Sequence, residues 1–411
     1  MELENKNEKN AKFLAFPKGF FWGASTASHQ IEGGNVNDWS EWEKSPKRMA
    51  ELKKKNKNPE EYISGKACNS YELFDEDLKR IKEFNLNAYR FSIEWSRVEP
   101  EEGKWNEEAI DHYKNVVKKL KENNVEPFVT VWHWTIPLWA RDRGGWSSKK
   151  ILDPFSRFAE KMASELKDVK FWITLNEPEV YAGQSYLIGI WPPQKNNPFV
   201  YVKVIRNLIK AHNNIFHVIK KINLEAKIGI ANPNIYFEAY KNRFVNIVLK
   251  KIVDWWWNFY FLDKTKNGLD FIGLNHYHHS RINYGFHKNE NKIVSDFGWE
   301  LYPESIYHAL MDLKKYNKPI YVTEHGLADA KDRYREWFIV ESLKNVHRAI
   351  DEGANARGYL HWSLLDNFEW AEGFTKKFGL CEVDFKTFKR APRPSAKIYA
   401  EICKNNGFML K

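Results

Sequence analysis

The sequence predicts an α/β fold, a single (β/α)8 TIM barrel, because short apolar runs alternate along the chain with longer amphipathic stretches. Several of the short runs are almost continuously apolar, which is typical of parallel strands covered on both faces. The amphipathic stretches have the length and spacing of surface helices. The predicted strands are Phe20–Ser25, Asn87–Glu94, Pro127–His133, Phe171–Asn176, Lys227–Ala231, Phe271–Tyr277, Pro319–Thr323 and Gly358–Leu364.

Each predicted helix lies between two of these strands or follows the last one. The helices are expected at Tyr71–Phe84, Glu107–Asn123, Phe155–Lys167, Phe199–Ile222, Phe244–Leu262, Pro303–Lys315, Arg335–Glu352 and Ser395–Cys403. No Pro-, Ser- or Gly-rich linker interrupts the pattern. We therefore expect one domain over residues 13–411, preceded by a polar N-terminal tail at residues 1–12.

Composition excludes several classes of function. The chain is 43% hydrophobic and 16% aromatic, enough for a large core and too much for a disordered protein. The net charge is +10, but lysines and glutamates are interspersed and no nucleic-acid motif accompanies them, so no nucleic-acid partner is expected. Three widely spaced cysteines, Cys68, Cys381 and Cys403, give neither a disulfide framework nor a zinc spacing. With no signal-peptide run and no transmembrane segment, we expect a cytoplasmic protein.

One aromatic run, Trp255–Leu262, is too short to span a membrane. We favour a buried helix for it, and contact with a membrane surface is the alternative.

Unusual polar residues follow the predicted strands, where barrel enzymes carry their active sites. These strand-end groups are His29-Gln30-Ile31-Glu32, Arg90 and Glu94, Trp132-His133-Trp134, Asn176-Glu177-Pro178, Asn275-His276-Tyr277, Glu324-His325-Gly326, and Trp362 followed by Asp366–Trp370.

Two carboxylates, Glu177 and Glu324, should face each other across the mouth, and burying such groups is costly unless they are paired or used. Cleavage of an acetal needs a proton donor and an opposing carboxylate, so this pair predicts glycoside hydrolysis. Arg90 is a candidate positive neighbour for the ionised member.

At these residues the sequence resembles glycoside hydrolase family 1, the β-glucosidase and β-galactosidase family, from Phe20 to about Tyr399. The motifs that carry the resemblance are Thr174-Leu175-Asn176-Glu177-Pro178, Val322-Thr323-Glu324-His325-Gly326, Phe21-Trp22-Gly23-Ala24-Ser25 with Gln30-Ile31-Glu32-Gly33, Tyr89–Trp95, and Trp362–Trp370.

The resemblance implies a role for each matching residue. Glu177 would be the acid and base, and Glu324 the nucleophile, with Arg90 beside it and Tyr277 orienting it. The sugar hydroxyls would be bound by Gln30, His133, Asn176, Glu369 and Trp370, Asn176 would hold the 2-hydroxyl, and Trp362 would form the floor. The family uses no metal and no cofactor, and the partner would be a small β-glycoside or oligosaccharide.

Two features, at three positions, narrow the branch that the resemblance implies. Relatives that act on phosphorylated sugars have Ser where this chain has Glu369 and Tyr where it has Phe378, and a carboxylate would repel a phosphate. Thioglucosidase relatives have Gln in place of Glu177. We therefore expect unphosphorylated O-glycosides: β-glucosides first, β-galactosides as a side activity, with mannosides and fucosides left open.

The sequence also departs from the family. His325 stands where the family has Asn, beside the nucleophile, so the pKa of that carboxylate or the substrate preference could differ. The segment Leu262–Leu269 is short, as in a short archaeal branch. His278 and His279 follow a strand end and are expected at the surface or in a loop rather than at a metal.

Two other functions stay open beside an active retaining β-glycosidase. One is a non-catalytic sugar-binding barrel, because a fold does not determine a function. The other is a membrane-surface enzyme acting on alkyl glycosides or glycolipids. The Lys- and Glu-rich surface hints at a thermophilic source, and the sequence leaves the oligomeric state open.

Overall fold

The computed structural model describes residues 12–410, and these contain a closed barrel of eight parallel strands. Each strand pairs with the next along the chain, and the eighth closes on the first. The TIM barrel predicted from the sequence is therefore confirmed. Its strands are β1 (Phe21–Ser25), β2 (Ala88–Ser92), β3 (Glu126–Trp132), β4 (Phe171–Asn176), β5 (Lys227–Pro233), β6 (Ile272–Asn275), β7 (Ile320–His325) and β8 (Ala356–Trp362).

A principal helix follows each strand and covers the outside of the barrel. These helices are α1 (Phe74–Glu83), α2 (Glu107–Glu122), α3 (Leu152–Glu165), α4 (Pro198–Ile222), α5 (Phe244–Val253), α6 (Ser305–Leu313), α7 (Arg335–Asp351) and α8 (Pro394–Asn405). Local sequence accounts for several helix starts. The Asn106 side chain caps α2 by accepting from the amide of Ala109, and Asn197 caps α4 directly before Pro198.

Shorter helices and strand pairs lie outside the eight-stranded barrel and its principal helices. Short α-helices lie at Ser28–Ile31, Asp38–Glu43, Pro46–Lys54, Trp95–Val98, Leu138–Asp142, Pro178–Ala182 and Tyr260–Thr265. Paired strands lie at Phe13–Ala15 with Gly407–Met409, Tyr236–Ala239 with His279–Ile282, and Cys381–Val383 with Arg390–Pro392. The predicted tail, residues 1–12, lies outside the described residues except for Lys12, and the domain bounds stay a prediction. No helix within residues 12–410 is long and apolar enough to cross a bilayer.

The helix predicted at Phe244–Leu262 is interrupted. Helix α5 ends at Val253, a π-helical turn occupies Asp254–Phe259, and Tyr260–Thr265 is helical again. Asn258 holds this turn, because its side chain both accepts from the amide of Ile235 (3.0 Å) and donates to the carbonyl of Ile235 (2.9 Å). The favoured prediction of a buried Trp255–Leu262 segment is correct for Phe261 and Leu262 but wrong for Trp255, which is 49% exposed.

Aromatic rings fill the N-terminal end of the barrel interior. The Phe128 and Phe171 rings stack with centroids 4.4 Å apart, and Phe271 packs edge-on against Tyr321 at 5.2 Å. Phe21 closes the group from β1. This plug excludes water from below, so that polar residues of the same strands can approach one another only at the C-terminal end.

We predict that Phe171→Ala lowers the free energy of unfolding by about 3–5 kcal/mol, because it leaves a cavity between stacked rings. Phe199→Ala is the matched control, since Phe199 is 86% exposed and its removal should change stability little. Denaturant unfolding followed by tryptophan fluorescence measures both variants. Equal stability of the two would show that the plug does not support the barrel.

Candidate active site

Arg90, on β2, is the centre of the polar layer above the plug. Its guanidinium is fully buried and is paired with the carboxylate of Glu324. Nε donates to the hydroxyl of Thr130 on β3 (3.0 Å), and Nη2 donates to Oδ1 of Asn176 on β4 (2.6 Å). A buried charge is tolerable only when it is paired and hydrogen-bonded, and here three other strands, β3, β4 and β7, supply the partners.

Glu324 reaches this arginine because β7 is irregular. Tyr321 and Thr323 both face the barrel interior, so strict alternation would turn Glu324 outward. The register with both neighbouring strands shifts between Val322 and the residues that follow, and this bulge turns the carboxylate inward. Its second oxygen accepts from the Tyr277 hydroxyl (2.6 Å). Arg90 and Tyr277 thus hold both carboxylate oxygens in place.

Glu177 follows β4 in a strained backbone conformation. Its φ is +41° and ψ is +59°, in the left-handed region that side chains other than Gly, Asn and Asp rarely adopt. Pro178, its neighbour, begins the next short helix. The carboxyl is buried, and burial, together with the negative charge of Glu324, raises the pKa of Glu177 to about 8. A carboxyl in this state carries a proton at neutral pH.

Asn275, at the end of β6, links Glu177 to the strand that carries Glu324. Its amide nitrogen donates to Glu177 (2.9 Å) and to Oδ1 of Asn176 (3.1 Å). Its amide oxygen accepts from the hydroxyl of Thr323, the residue before Glu324 (2.7 Å). The sequence pattern marks Asn275 as a polar strand end but gives no role to it. Its partners identify it as the residue that fixes one carboxyl relative to the other.

The residues predicted to bind a sugar also converge here. The Gln30 amide nitrogen donates to the carbonyl of Phe368 (2.9 Å) and to Glu369 (3.3 Å). Nδ2 of Asn176 donates to Nε2 of His133 (3.0 Å). Within the described chain, Oε1 of Gln30 and Nδ1 of His133 are buried without a partner. Such atoms are costly unless a ligand satisfies them.

A pocket of about 300 Å3 opens between these residues, and its lining includes both carboxyl groups, His133, Tyr277, Trp362, Glu369 and Trp370. Gln30, Arg90 and Asn176 lie behind this lining. Burial and the charge of Glu324 raise the pKa of Glu369 to about 8. The outer wall is largely apolar and comes from residues to which the sequence analysis gave no role, namely Trp134, Val180, Ile190, Trp191, Ile235, Trp257, Phe297 and Trp299. Apart from Trp134, which follows β3, and Ile235, which follows β5, these residues lie away from the strand ends, so no strand-end position reveals them.

Three histidines, at positions 278, 279 and 325, lie at or after strand ends near the pocket. The His325 ring stacks on Phe338 of α7 (5.0 Å between centroids) and its Nδ1 meets the Tyr359 hydroxyl (3.2 Å). The His325 side chain therefore points out of the barrel. It forms no hydrogen bond with Glu324 through which it could exert the predicted influence on that carboxylate. The surface or loop position predicted for His278 and His279 is correct for His278, which lies in the loop after β6, but wrong for His279, which begins a short strand and is buried. His278 lines the pocket, and His279 is buried against Glu300 (2.6 Å).

A closed barrel with two buried carboxyls in different environments, set in a pocket with unpartnered polar atoms and aromatic rings, defines the class of barrel glycoside hydrolases. Comparison with known proteins agrees with this class. The model of glycosyl hydrolase family 1 matches residues 13–268 and 247–408. The chain belongs to this family, and it is a retaining β-glycosidase.

Three relatives illustrate the similarity. A 1,4-beta-D-glucan glucohydrolase of Thermotoga neapolitana is 33% identical over 447 residues, covering 95% of this chain and 99% of the relative. The structure of a beta-glycosidase from Pyrococcus horikoshii is 37% identical with a TM-score of 0.87, covering 97% and 96%. A beta-glucosidase from Thermotoga maritima in complex with glucoimidazole is 32% identical with a TM-score of 0.89, covering 96% and 100%.

We predict that Glu177→Gln stabilises the protein at alkaline pH. The pKa of Glu177 is raised on folding to about 8, so the folded state binds its proton more tightly than the unfolded state. This group therefore costs stability as pH rises from about 5 through 8. The variant should melt roughly 2–5 °C above wild type at pH 9 and show a much smaller difference at pH 5. Thermal scans at both pH values measure this.

Glu336→Gln, at an exposed position of α7, is the control for the loss of one carboxylate. It should give the same small difference at both pH values. A Glu177→Gln difference that does not change with pH would contradict the raised pKa.

Proposed function

We propose that Glu324 is the nucleophile and Glu177 the acid and base of a double displacement. The observation that supports these roles is the contrast between the two carboxyl environments. Glu324 is ion-paired with Arg90 and accepts from Tyr277, whereas Glu177 is buried beside that negative charge and has a pKa of about 8. One group is suited to attack and the other to give a proton.

The first step forms a bond between a Glu324 oxygen and the anomeric carbon while the glycosidic bond breaks. The Glu177 proton passes to the leaving oxygen, which departs as an alcohol. In the second step Glu177 takes a proton from water, the water oxygen bonds to the anomeric carbon, and Glu324 leaves. Two displacements retain the configuration. Because Glu177 must start protonated, its pKa should limit the rate on the alkaline side.

We assign the hydroxyls of the sugar to the polar residues behind and around the pocket. Asn176 is held by Arg90 and His133 at the side of Glu324, so we propose that it binds the 2-hydroxyl. Among the partners that residues 12–410 offer, none satisfies one buried atom each of Gln30 and His133, and Glu369 accepts from Gln30. These groups form a cluster suited to the remaining hydroxyls. Trp362 and Trp370 supply apolar ring faces against the sugar.

For the substrate, we propose β-glucosides first and β-galactosides second, as unphosphorylated O-glycosides. Glu369 and Glu324 both line the pocket, where a phosphate dianion would meet the negative charge of Glu324. The apolar outer wall favours an apolar leaving group over a polar one.

We also propose that the enzyme works in a reducing compartment such as the cytoplasm. Within residues 12–410, Cys68, Cys381 and Cys403 are buried free thiols, which is usual where disulfides do not form. The proposed domain is residues 13–411.

We predict that Glu324→Gly lowers kcat on nitrophenyl β-glucoside roughly a thousandfold or more, because no carboxylate remains to attack the anomeric carbon. A small anion such as azide should restore part of the rate by occupying the vacated space. Nuclear magnetic resonance of the product should show the β-anomer first for wild type.

Glu179→Gln is the matched control, because Glu179 is a buried glutamate two residues from Glu177 that does not line the pocket. Its rate should stay within about threefold of wild type. Equal, background-level rates for wild type and Glu324→Gly would instead support a sugar-binding barrel without catalysis.

A panel of nitrophenyl and alkyl glycosides tests the substrate. We expect kcat/KM for the β-glucoside to exceed that for the β-galactoside by about tenfold, since one hydroxyl orientation changes. Octyl β-glucoside should have a lower KM than methyl β-glucoside because the chain contacts the apolar wall. A preference for a mannoside or a fucoside would overturn the assignment.

A further inference from the structure

One side of helix α5 is apolar and faces solvent. Phe244 is 80% exposed, Ile252 is 57% exposed and Trp255, in the π-turn that follows, is 49% exposed. We call this surface the α5 face, and it consists of Phe244, Val245, Val248, Leu249, Ile252 and Trp255. Val245, Val248 and Leu249 follow Phe244 by one, four and five residues, and this spacing places the side chains on one side of the helix. A contiguous apolar surface of this kind marks an interaction site.

Two more exposed aromatic residues, Tyr284 and Phe286, belong to a segment that is tied to the helix through Tyr284. Tyr284 is 65% exposed, and its amide donates to the side chain of Asn246 on α5 (3.0 Å). Tyr and Trp, which combine an apolar ring with a polar atom, suit the boundary between water and an apolar phase. The exposed apolar area therefore extends beyond one helix.

The charged residues of segment 241–253, which carries most of the α5 face, are all positive. Lys241 and Arg243 precede the helix, Lys250 and Lys251 lie in its last turn, and residues 241–253 contain no Asp or Glu. Lys250 is paired with Asp254. Lys241, Arg243 and Lys251 remain exposed at the two ends of the apolar stripe. Apolar residues bordered by basic residues are the pattern of helices that lie in the surface of an anionic membrane.

We infer that the α5 face binds the surface of an anionic lipid bilayer. A second copy of the chain fits less well, because a twofold axis through this face would bring its basic residues together. An anionic lipid surface instead attracts the lysines while its interior takes up Phe244, Ile252 and Trp255.

The α5 face is joined to the pocket described above. Trp257, in the same π-turn as Trp255, lines the pocket, and Asn258 ties that turn to Ile235, another pocket residue. Membrane binding would therefore present the apolar wall of the pocket to glycosides that carry alkyl or acyl chains. This extension to the substrate rests on the proposed function, whereas membrane binding itself does not.

Co-sedimentation with vesicles tests the inference. The full chain is mixed with vesicles of phosphatidylcholine alone, or of phosphatidylcholine with phosphatidylglycerol, at low salt. We expect the protein to pellet with the anionic vesicles only and to be released as salt increases. The double variant Phe244→Ser/Ile252→Ser should lower the bound fraction about tenfold or more. Lys241→Gln/Lys251→Gln should weaken binding and its dependence on salt.

Leu224→Ser is the matched control, because Leu224 is 78% exposed in the connection before β5, at the opposite end of the barrel from the pocket. It should bind as wild type does. Hydrolysis of a soluble nitrophenyl glycoside, measured in parallel, reports folding and the proposed function separately, and the α5-face variants should leave it unchanged. Wild type that stays in the supernatant with both vesicles would overturn the inference. An equal loss of vesicle binding in Leu224→Ser would also overturn it. So would a wild-type protein that is a dimer without affinity for vesicles and that becomes a monomer in Phe244→Ser/Ile252→Ser.

Discussion

The buried ion pair between Arg90 and Glu324 is the interaction on which the rest of the site depends. A guanidinium without solvent must find partners for its donors, and β2 supplies Arg90 while β3, β4 and β7 supply Thr130, Asn176 and Glu324. These contacts fix the relative height of neighbouring strands at the mouth of the barrel. The aromatic plug below removes water, which makes each contact electrostatically stronger.

The same pair creates the difference between the two carboxyl groups. Glu324 has a positive partner and a hydroxyl donor, whereas Glu177 has the amide of Asn275 and lies near the negative charge of Glu324. The charge that Arg90 stabilises on one group thus opposes charge on the other. A proton donor and a nucleophile follow from one asymmetric arrangement. The left-handed backbone of Glu177 is locally unfavourable in free energy, and the surrounding structure holds it in place.

The outer part of the pocket differs in chemical character from its polar floor. Its wall is apolar, and the π-turn at Asp254–Phe259 belongs both to this wall and to the α5 face. Asn258 couples the two surfaces through paired hydrogen bonds to the backbone of Ile235. Sugar recognition near Arg90 and contact with apolar groups at the rim are therefore separate properties of neighbouring elements.

The alternation of apolar runs and amphipathic stretches is a local property of the chain, and it is enough to predict the barrel, to place Glu177 and Glu324 at strand ends and to place Arg90 within a strand. The inward or outward direction of each side chain depends on pairing between strands, because the irregular register at Glu324 breaks the alternation from which a direction could be read. The outward position of His325, the bridging role of Asn275 and the exposure of Trp255 likewise depend on contacts between residues distant in the chain. The periodicity of apolar residues indicates which side of a helix or strand faces the core. It does not indicate which residues from distant parts of the chain pack against that element.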